Sequence, residues 1–207
     1  YAENIEEALA IAKKRKAFVS EAFMIGSNND RRTAIIEITP KSVALYDPAD
    51  QRMVGSNHFQ SEAFRNSETN LENIRESSSM YRYKRMHQLL DKYPEMNPRL
   101  AASVLRNRNG LDDKLIGMGN EKAINQLIAH HSVIFKPDEL KFWVSSNPYQ
   151  LGKYVCYDLD SVFRNFSAMK KNREIYEREY SIPSDSFLSN GGYQRFLKYK
   201  QLKSEIK

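Results

Sequence analysis

The sequence predicts an α+β fold in which the strands pair largely antiparallel. Three observations carry that reading. Short β-branched and aromatic runs come in clusters: Ala34-Ile35-Ile36-Glu37-Ile38 and Ser42-Val43-Ala44-Leu45-Tyr46 early, Ser132-Val133-Ile134-Phe135 and Leu140-Lys141-Phe142-Trp143-Val144 late. Turn formers separate the members of each cluster, Thr39-Pro40-Lys41 in the first and Lys136-Pro137-Asp138-Glu139 in the second. Helical patterns stand in runs of their own, which argues against alternating βαβ units.

Taken in order, residues 2–16 place Ile5, Ala8, Leu9, Ile11 and Ala12 on one side of an amphipathic helix with charges opposite. Phe18 to Ile25 reads as the first strand, ended by the turn cluster Gly26-Ser27-Asn28-Asn29-Asp30. Strands over 33–39, 42–47 and 52–56 follow, the middle pair divided from the last by Asp47-Pro48-Ala49-Asp50, so that 20–59 form one meander. Residues 60–77 read as a long polar loop or a loop with one helical turn, and a loop of that length is usually functional or mobile. Serine at 77–79 caps a helix to about Lys92, stopped before Pro94. Asn97 caps the next, with Pro98 at its first position and Leu100, Val104 and Leu105 facing inward. Gly110 and Gly117-Met118-Gly119 punctuate a linker, and 120–128 read as helical. The hairpin of the second cluster and a strand over 154–159 contribute to a layered core, with 161–180 and 191–207 as charged peripheral helices. The 207 residues suffice for one well-cored domain and are short for two.

Composition excludes several classes. The net charge is +6, but lysine and arginine are interleaved with acidic residues, and Lys13-Lys14-Arg15-Lys16 is the one dense basic tract. Aromatic and basic residues do not interleave in one patch, so a nucleic-acid partner is not expected. A single cysteine, Cys156, rules out an internal disulfide and a cysteine-built zinc cluster. No apolar window approaches the ~18 residues a membrane span needs. Asp112-Asp113 and Asp158-Asp160 show no metal spacing, and His130-His131 would point to opposite faces of a strand. Gly117-Met118-Gly119 lacks the rest of a dinucleotide fingerprint, so neither metal nor cofactor is expected. The chain begins with Tyr1 rather than Met, which reads as a processed or truncated piece. Its compartment is cytoplasmic or, if an upstream signal was removed, periplasmic or secreted.

Two stretches carry candidate chemistry. Ser56-Asn57-His58-Phe59 lies where the last early strand gives way to a loop, a common place for functional side chains, although Ser-Asn also simply starts turns. Ser78-Ser79-Met80-Tyr81-Arg82-Tyr83-Lys84-Arg85 opens a helix with free backbone N–H groups and hydroxyls, and Arg82 lies one turn in. The plainer reading is an N-cap followed by solvated arginines. Cys156 paired with His130 or His131 offers a thiol alternative, but a lone cysteine in an alternating strand behaves as a small buried hydrophobe.

Together these stretches resemble the cysteine N-terminal-nucleophile hydrolases of the choloylglycine hydrolase, penicillin V acylase and acyl-coenzyme A:6-aminopenicillanic-acid acyltransferase group. Thr33 to Phe59 is similar to their strand ending in Ile-Glu, second strand ending in Tyr-Asp, and Thr-Asn-His-Phe element, here Ser56-Asn57-His58-Phe59. The serine-rich helix start is similar to their Ser-Ser-x-Ser-Arg-Phe-x-Arg stretch, with Tyr81 where many members carry serine. The helix with Glu6, Glu7, Ala8 and Ile11 before the first strand also fits, and the likeness covers about residues 1–165.

The resemblance implies an αββα layered fold and hydrolysis or transfer of an acyl group from an amide, by a cysteine freed at the N-terminus whose α-amino group is the base. It implies that Asn57 holds the oxyanion or orients the amine, and that Arg82 positions the catalytic groups. Ser56, His58, Phe59, Ser79 and Tyr81 would line the substrate pocket. The N-terminal cysteine and the Arg and Asp that follow it in the family are missing and would lie before Tyr1, so the fold is expected to be incomplete at its N-terminus and the chain inactive alone. The other reading is a non-catalytic binding or structural module that kept the fold. On the enzyme reading the partners are an amide or acyl-CoA substrate and either the N-terminal fragment of the same precursor or a second copy, the latter a homo-oligomer that covers bare strand edges.

Overall fold

The computed structural model describes residues 1–48, 52–165 and 174–206, and these fall into two compact units, residues 1–87 and 88–207. The fold class is α+β, with one antiparallel sheet of three strands and one of four.

In the first unit, α1 (Ile5–Lys13) is capped twice. Asn4 accepts the Glu7 N–H at 2.8 Å, and the Asp30 carboxylate accepts the Ile5 N–H at 2.7 Å. An anion at a helix N-terminus is favoured by the exposed N–H groups, and the Ile5 hydrogen bond is the main cause holding the Asp30 carboxyl below its ordinary value. Strands β1 (Glu21–Ser27), β2 (Arg32–Ile38) and β3 (Val43–Tyr46) form the meander in that order. β2 is central, and Ala34, Ile35, Ile36 and Glu37 are all buried. Successive side chains alternate, so Ala34 and Ile36 serve one face while Ile35 and Glu37 serve the other. α1 packs across the three strands.

Two early expectations change. The strand at 52–56 is replaced by a single bridge between Ser56 and His58, because residues 56–61 are held mainly by side chains from other elements rather than by a ladder. The turn expected at 49–50 lies outside the described residues. The polar stretch after it is not a long loop but contains α2 (Glu68–Glu76), capped by Ser67. Next comes α3 (Ser79–Lys92), as the serine cap and Pro94 stop predict.

The second unit begins with α4 (Pro98–Leu105), whose Asn97 cap accepts from Leu100 N–H at 3.0 Å. Strands β4 (Val133–Lys136), β5 (Lys141–Ser145), β6 (Tyr154–Asp158) and β7 (Glu177–Ile182) form the second sheet in sequence order. The register sets Ile134 opposite Trp143 and Trp143 opposite Cys156, and these join Ala102, Tyr154 and Ile182 in one core. On the alternate positions Phe135, Phe142 and Tyr157 stack across three strands at 6.2 and 5.0 Å, with Phe135 70% exposed. Arg106 donates to the carbonyls of Gln150, Gly152 and Pro183 at 3.2, 2.6 and 3.0 Å, tying two loop segments to the end of α4.

Residues 120–128 are turns, not a helix. Buried Asn125 explains this: it accepts from Leu127 N–H at 2.9 Å and donates to the Tyr149 carbonyl at 3.1 Å, an arrangement that competes with a helical ladder. The helix expected over 161–180 is α5 (Leu159–Asn165) only; 166–173 lie outside the described residues, and 177–182 are the strand β7. The charged run Glu177-Arg178-Glu179 looks like a solvated helix face, but pairing with the open edge of β6 buries Ser181 and Ile182. The C-terminal helix α6 (Gly192–Glu205) forms as expected and buries Phe196 against Leu127 and Leu151.

Burial raises the Cys156 thiol to about 11, and its side chain is fully enclosed. Residues 1–207, folded, should therefore resist a disulfide-exchange reagent such as dithionitrobenzoate at pH 8. One thiol per chain should react once guanidinium unfolds it; rapid reaction without denaturant would contradict this core.

Candidate active site

The site is built in the first unit, on the polar loop after β3. Glu37 ends the buried stretch of β2 at 1% exposure, and its two carboxylate oxygens accept the backbone N–H groups of Gln60 and Ser61 at 2.6 and 3.1 Å. Gln60 reaches back to the Val54 carbonyl at 2.9 Å. From α2, buried Asn70 accepts the Phe59 N–H at 2.8 Å and donates to the Phe59 carbonyl at 3.0 Å, as a neighbouring strand would. One turn on, Asn73 donates to the Asn57 carbonyl.

α3 supplies the rest. Arg82 donates through Nη2 to Asn57 Oδ1 at 2.7 Å. Because an amide oxygen faces the guanidinium, the Asn57 NH2 group is the end left to act as a donor elsewhere. Ser56 donates to the Ser79 carbonyl at 3.1 Å, Ser79 Oγ donates to Ser56 Oγ at 3.0 Å, and His58 Nδ1 lies 2.8 Å from Ser79 Oγ. The His58 ring meets Tyr83 edge-on at 5.4 Å. Burial lowers the His58 pKa, opposed by the Glu37 charge.

Ser56, Asn57, His58 and Phe59 line a cleft of about 1030 Å³ whose other walls include Phe23, Pro40, Lys41, Phe64, Asn70 and Asn73. Of the residues expected from the sequence, these four face the cleft, while Ser79 and Arg82 stand behind them and hold Ser56, His58 and Asn57. Tyr81 is half-buried on α3 and is not part of the cleft lining. No group of three or more His, Cys, Asp or Glu side chains among the described residues could hold a metal, and no described helix is long and apolar enough to cross a membrane.

With Asn57 and Arg82 bonded across 25 residues of sequence, comparison with known families is informative. The acyl-coenzyme A:6-aminopenicillanic acid acyl-transferase family model matches residues 1–147. The chain belongs to that family. Its members are acyltransferases and hydrolases of the N-terminal-nucleophile type, and an α+β chain with two antiparallel sheets is consistent with their fold. Comparisons with curated proteins and with solved structures each give no significant match.

Glu37, Asn70 and Asn73 are the site residues that sequence reasoning passed over. Their signals are faint: a carboxylate inside the apolar run Ile35-Ile36-Glu37-Ile38, and two asparagines three apart on one helix face. Replacing Glu37 with Ala strands two N–H groups in a buried place and should cost about 2–5 kcal/mol in chemical denaturation; a loss under about 0.5 kcal/mol would mean that the loop holds itself.

His58 adds a pH dependence with a definite sign. Its folded pKa lies below the ordinary value of 6.5, so as pH falls the unfolded chain takes up the proton first. Stability should be at its full value above about 6.5 and decline as pH falls from there to the folded pKa. The His58→Phe variant should lose that part of the decline in denaturation curves taken between pH 7.5 and 5.

Proposed function

We propose that this chain supplies the substrate cleft and oxyanion-binding group of an enzyme that hydrolyses a non-peptide amide or transfers its acyl group, through an N-terminal cysteine lying outside these 207 residues. The observation that carries this reading is the 2.7 Å bond from Arg82 to Asn57 Oδ1 at the cleft. It fixes the amide so that its NH2 can donate to a tetrahedral oxyanion without rearranging, which is where such donors act most strongly. Arg82 acts through Asn57. Ser56, His58 and Phe59 meet the substrate, Ser79 supports Ser56 and His58, and Tyr81 lies on the same helix as Ser79. Cys156 is not the nucleophile of this reading, because it is enclosed and its thiol is pushed up to about 11.

The test uses the full protein with its N-terminal cysteine, assayed on amides and acyl-CoA esters with mass spectrometry for an acyl-enzyme. Asn57→Ala should lower kcat by about 10²–10³-fold, with Tm changed by less than about 2 °C. Arg82→Ala should likewise lower turnover far more than stability. Binding of these compounds without any turnover would favour a non-catalytic module that kept the fold.

A companion segment completes the reading, either the N-terminal fragment of the same precursor or a second copy. Supporting it are the exposed Phe23 and Met24 on the edge strand β1 and the exposed Phe135 on the edge strand β4. Expressed alone, residues 1–207 should bind an exposed-apolar dye and associate in solution. A monomer with a sharp cooperative transition and no dye binding would show that no companion is needed.

A further inference from the structure

Taken together as three hydrogen bonds, the contacts of Ser56, Ser79 and His58 leave one arrangement of protons. Ser56 has a single hydroxyl hydrogen, which it donates to the Ser79 carbonyl at 3.1 Å. The contact of 3.0 Å between the two Oγ atoms must then use the Ser79 hydrogen. With that hydrogen committed, Ser79 Oγ can only accept at its 2.8 Å contact with His58 Nδ1. The ring proton therefore sits on Nδ1, and Nε2 carries the free lone pair. No hydrogen bond among the described residues engages Nε2, and it is not among the sealed, unpartnered atoms, which are Ser61 Oγ and His87 Nε2. His58 is 8% exposed and lines the cleft.

We propose that His58 is the hydrogen-bond acceptor by which the cleft selects ligands bearing an N–H or O–H donor, and that Ser79 and Ser56 are positioning residues that set its tautomer. The role is distinct from that of Asn57, which offers a donor from the same loop. Both residues line the cleft, so together they offer it one acceptor and one donor, complementary to a primary or secondary amide or to an amine attacking an acyl group. A tertiary amide lacks the donor and leaves Nε2 desolvated without a partner, which is how a polar pocket rejects an analogue. This inference rests on the acyl-transfer reading only for the choice of amide probes; the proton assignment needs no chemistry at all.

The experiment is ¹⁵N NMR of the full protein at pH 8, recording the His58 ring nitrogens. The expected spectrum has a protonated Nδ1 and an unprotonated Nε2. Ser56→Ala frees the Ser79 hydrogen to turn toward Nδ1, so the Nε2-protonated form should grow; Ser79→Thr keeps the hydroxyl and should keep the wild-type pattern. Phenylacetamide should shift Nε2 and N,N-dimethylphenylacetamide should not, and His58→Phe should weaken phenylacetamide binding by about tenfold, the worth of one hydrogen bond. An Nε2-protonated ring in the wild-type protein overturns the proposal, and so does an equal response, or none, to the two amides. Loss of acyl transfer in the full protein with the tautomer and amide preference intact would instead count against the acyl-transfer reading alone.

Discussion

The Glu37 carboxylate is the constraint on which the site depends. It is a charged group on the central strand of a three-stranded sheet, buried to 1% exposure, and its hydrogen bonds go to two successive backbone N–H groups of the loop that carries the candidate chemistry. Charge-assisted bonds of this kind are roughly twice as strong as neutral ones, and the burial that makes them strong makes their loss expensive. The loop cannot drift without stranding either the carboxylate or the amides. A rigid strand thereby passes its order to residues that have no ladder of their own.

The helices act on the same loop in complementary ways. α2 takes the place of a neighbouring strand, with Asn70 satisfying both backbone groups of Phe59 and Asn73 taking the Asn57 carbonyl. α3 deals with side chains instead: Arg82 orients Asn57, and Ser79 orients Ser56 and His58. Backbone position and side-chain orientation are thus set by separate elements. A change on α3 should alter chemistry while sparing the loop path, whereas a change at Glu37 or Asn70 should disturb both.

The second unit is held differently. Its core is apolar, with Trp143, Cys156, Ile134 and Ile182 contributed by adjacent strands and Ala102 by α4. Its polar ties include Arg106, which serves three loop carbonyls and lies over the Tyr154 ring at 4.8 Å. The aromatic row of Phe135, Phe142 and Tyr157 is stacked but not covered at Phe135, which sets this sheet apart from one whose two faces are both finished.

Much of this was legible in the sequence because it depends on short-range physics. The meander over β1–β3, the hairpin of β4 and β5, the caps at Asn97 and the serines before α3, and the α+β class follow from alternation and turn residues within a few positions. The pair of Asn57 with Arg82 was legible too, through the order of motifs rather than their local chemistry. Tertiary structure decided the rest. Residues 52–56 contain a strand-like pattern, yet the loop beyond them finds better partners in Glu37 and two asparagines than in a ladder. Residues 120–128 have a helical pattern, yet Asn125 bonds elsewhere. Glu177–Ile182 has a helical charge run, yet the open edge of β6 claims it. Each departure has the same cause: a hydrogen-bonding group supplied from far along the chain outcompetes the local preference, and no window of neighbouring residues contains that partner.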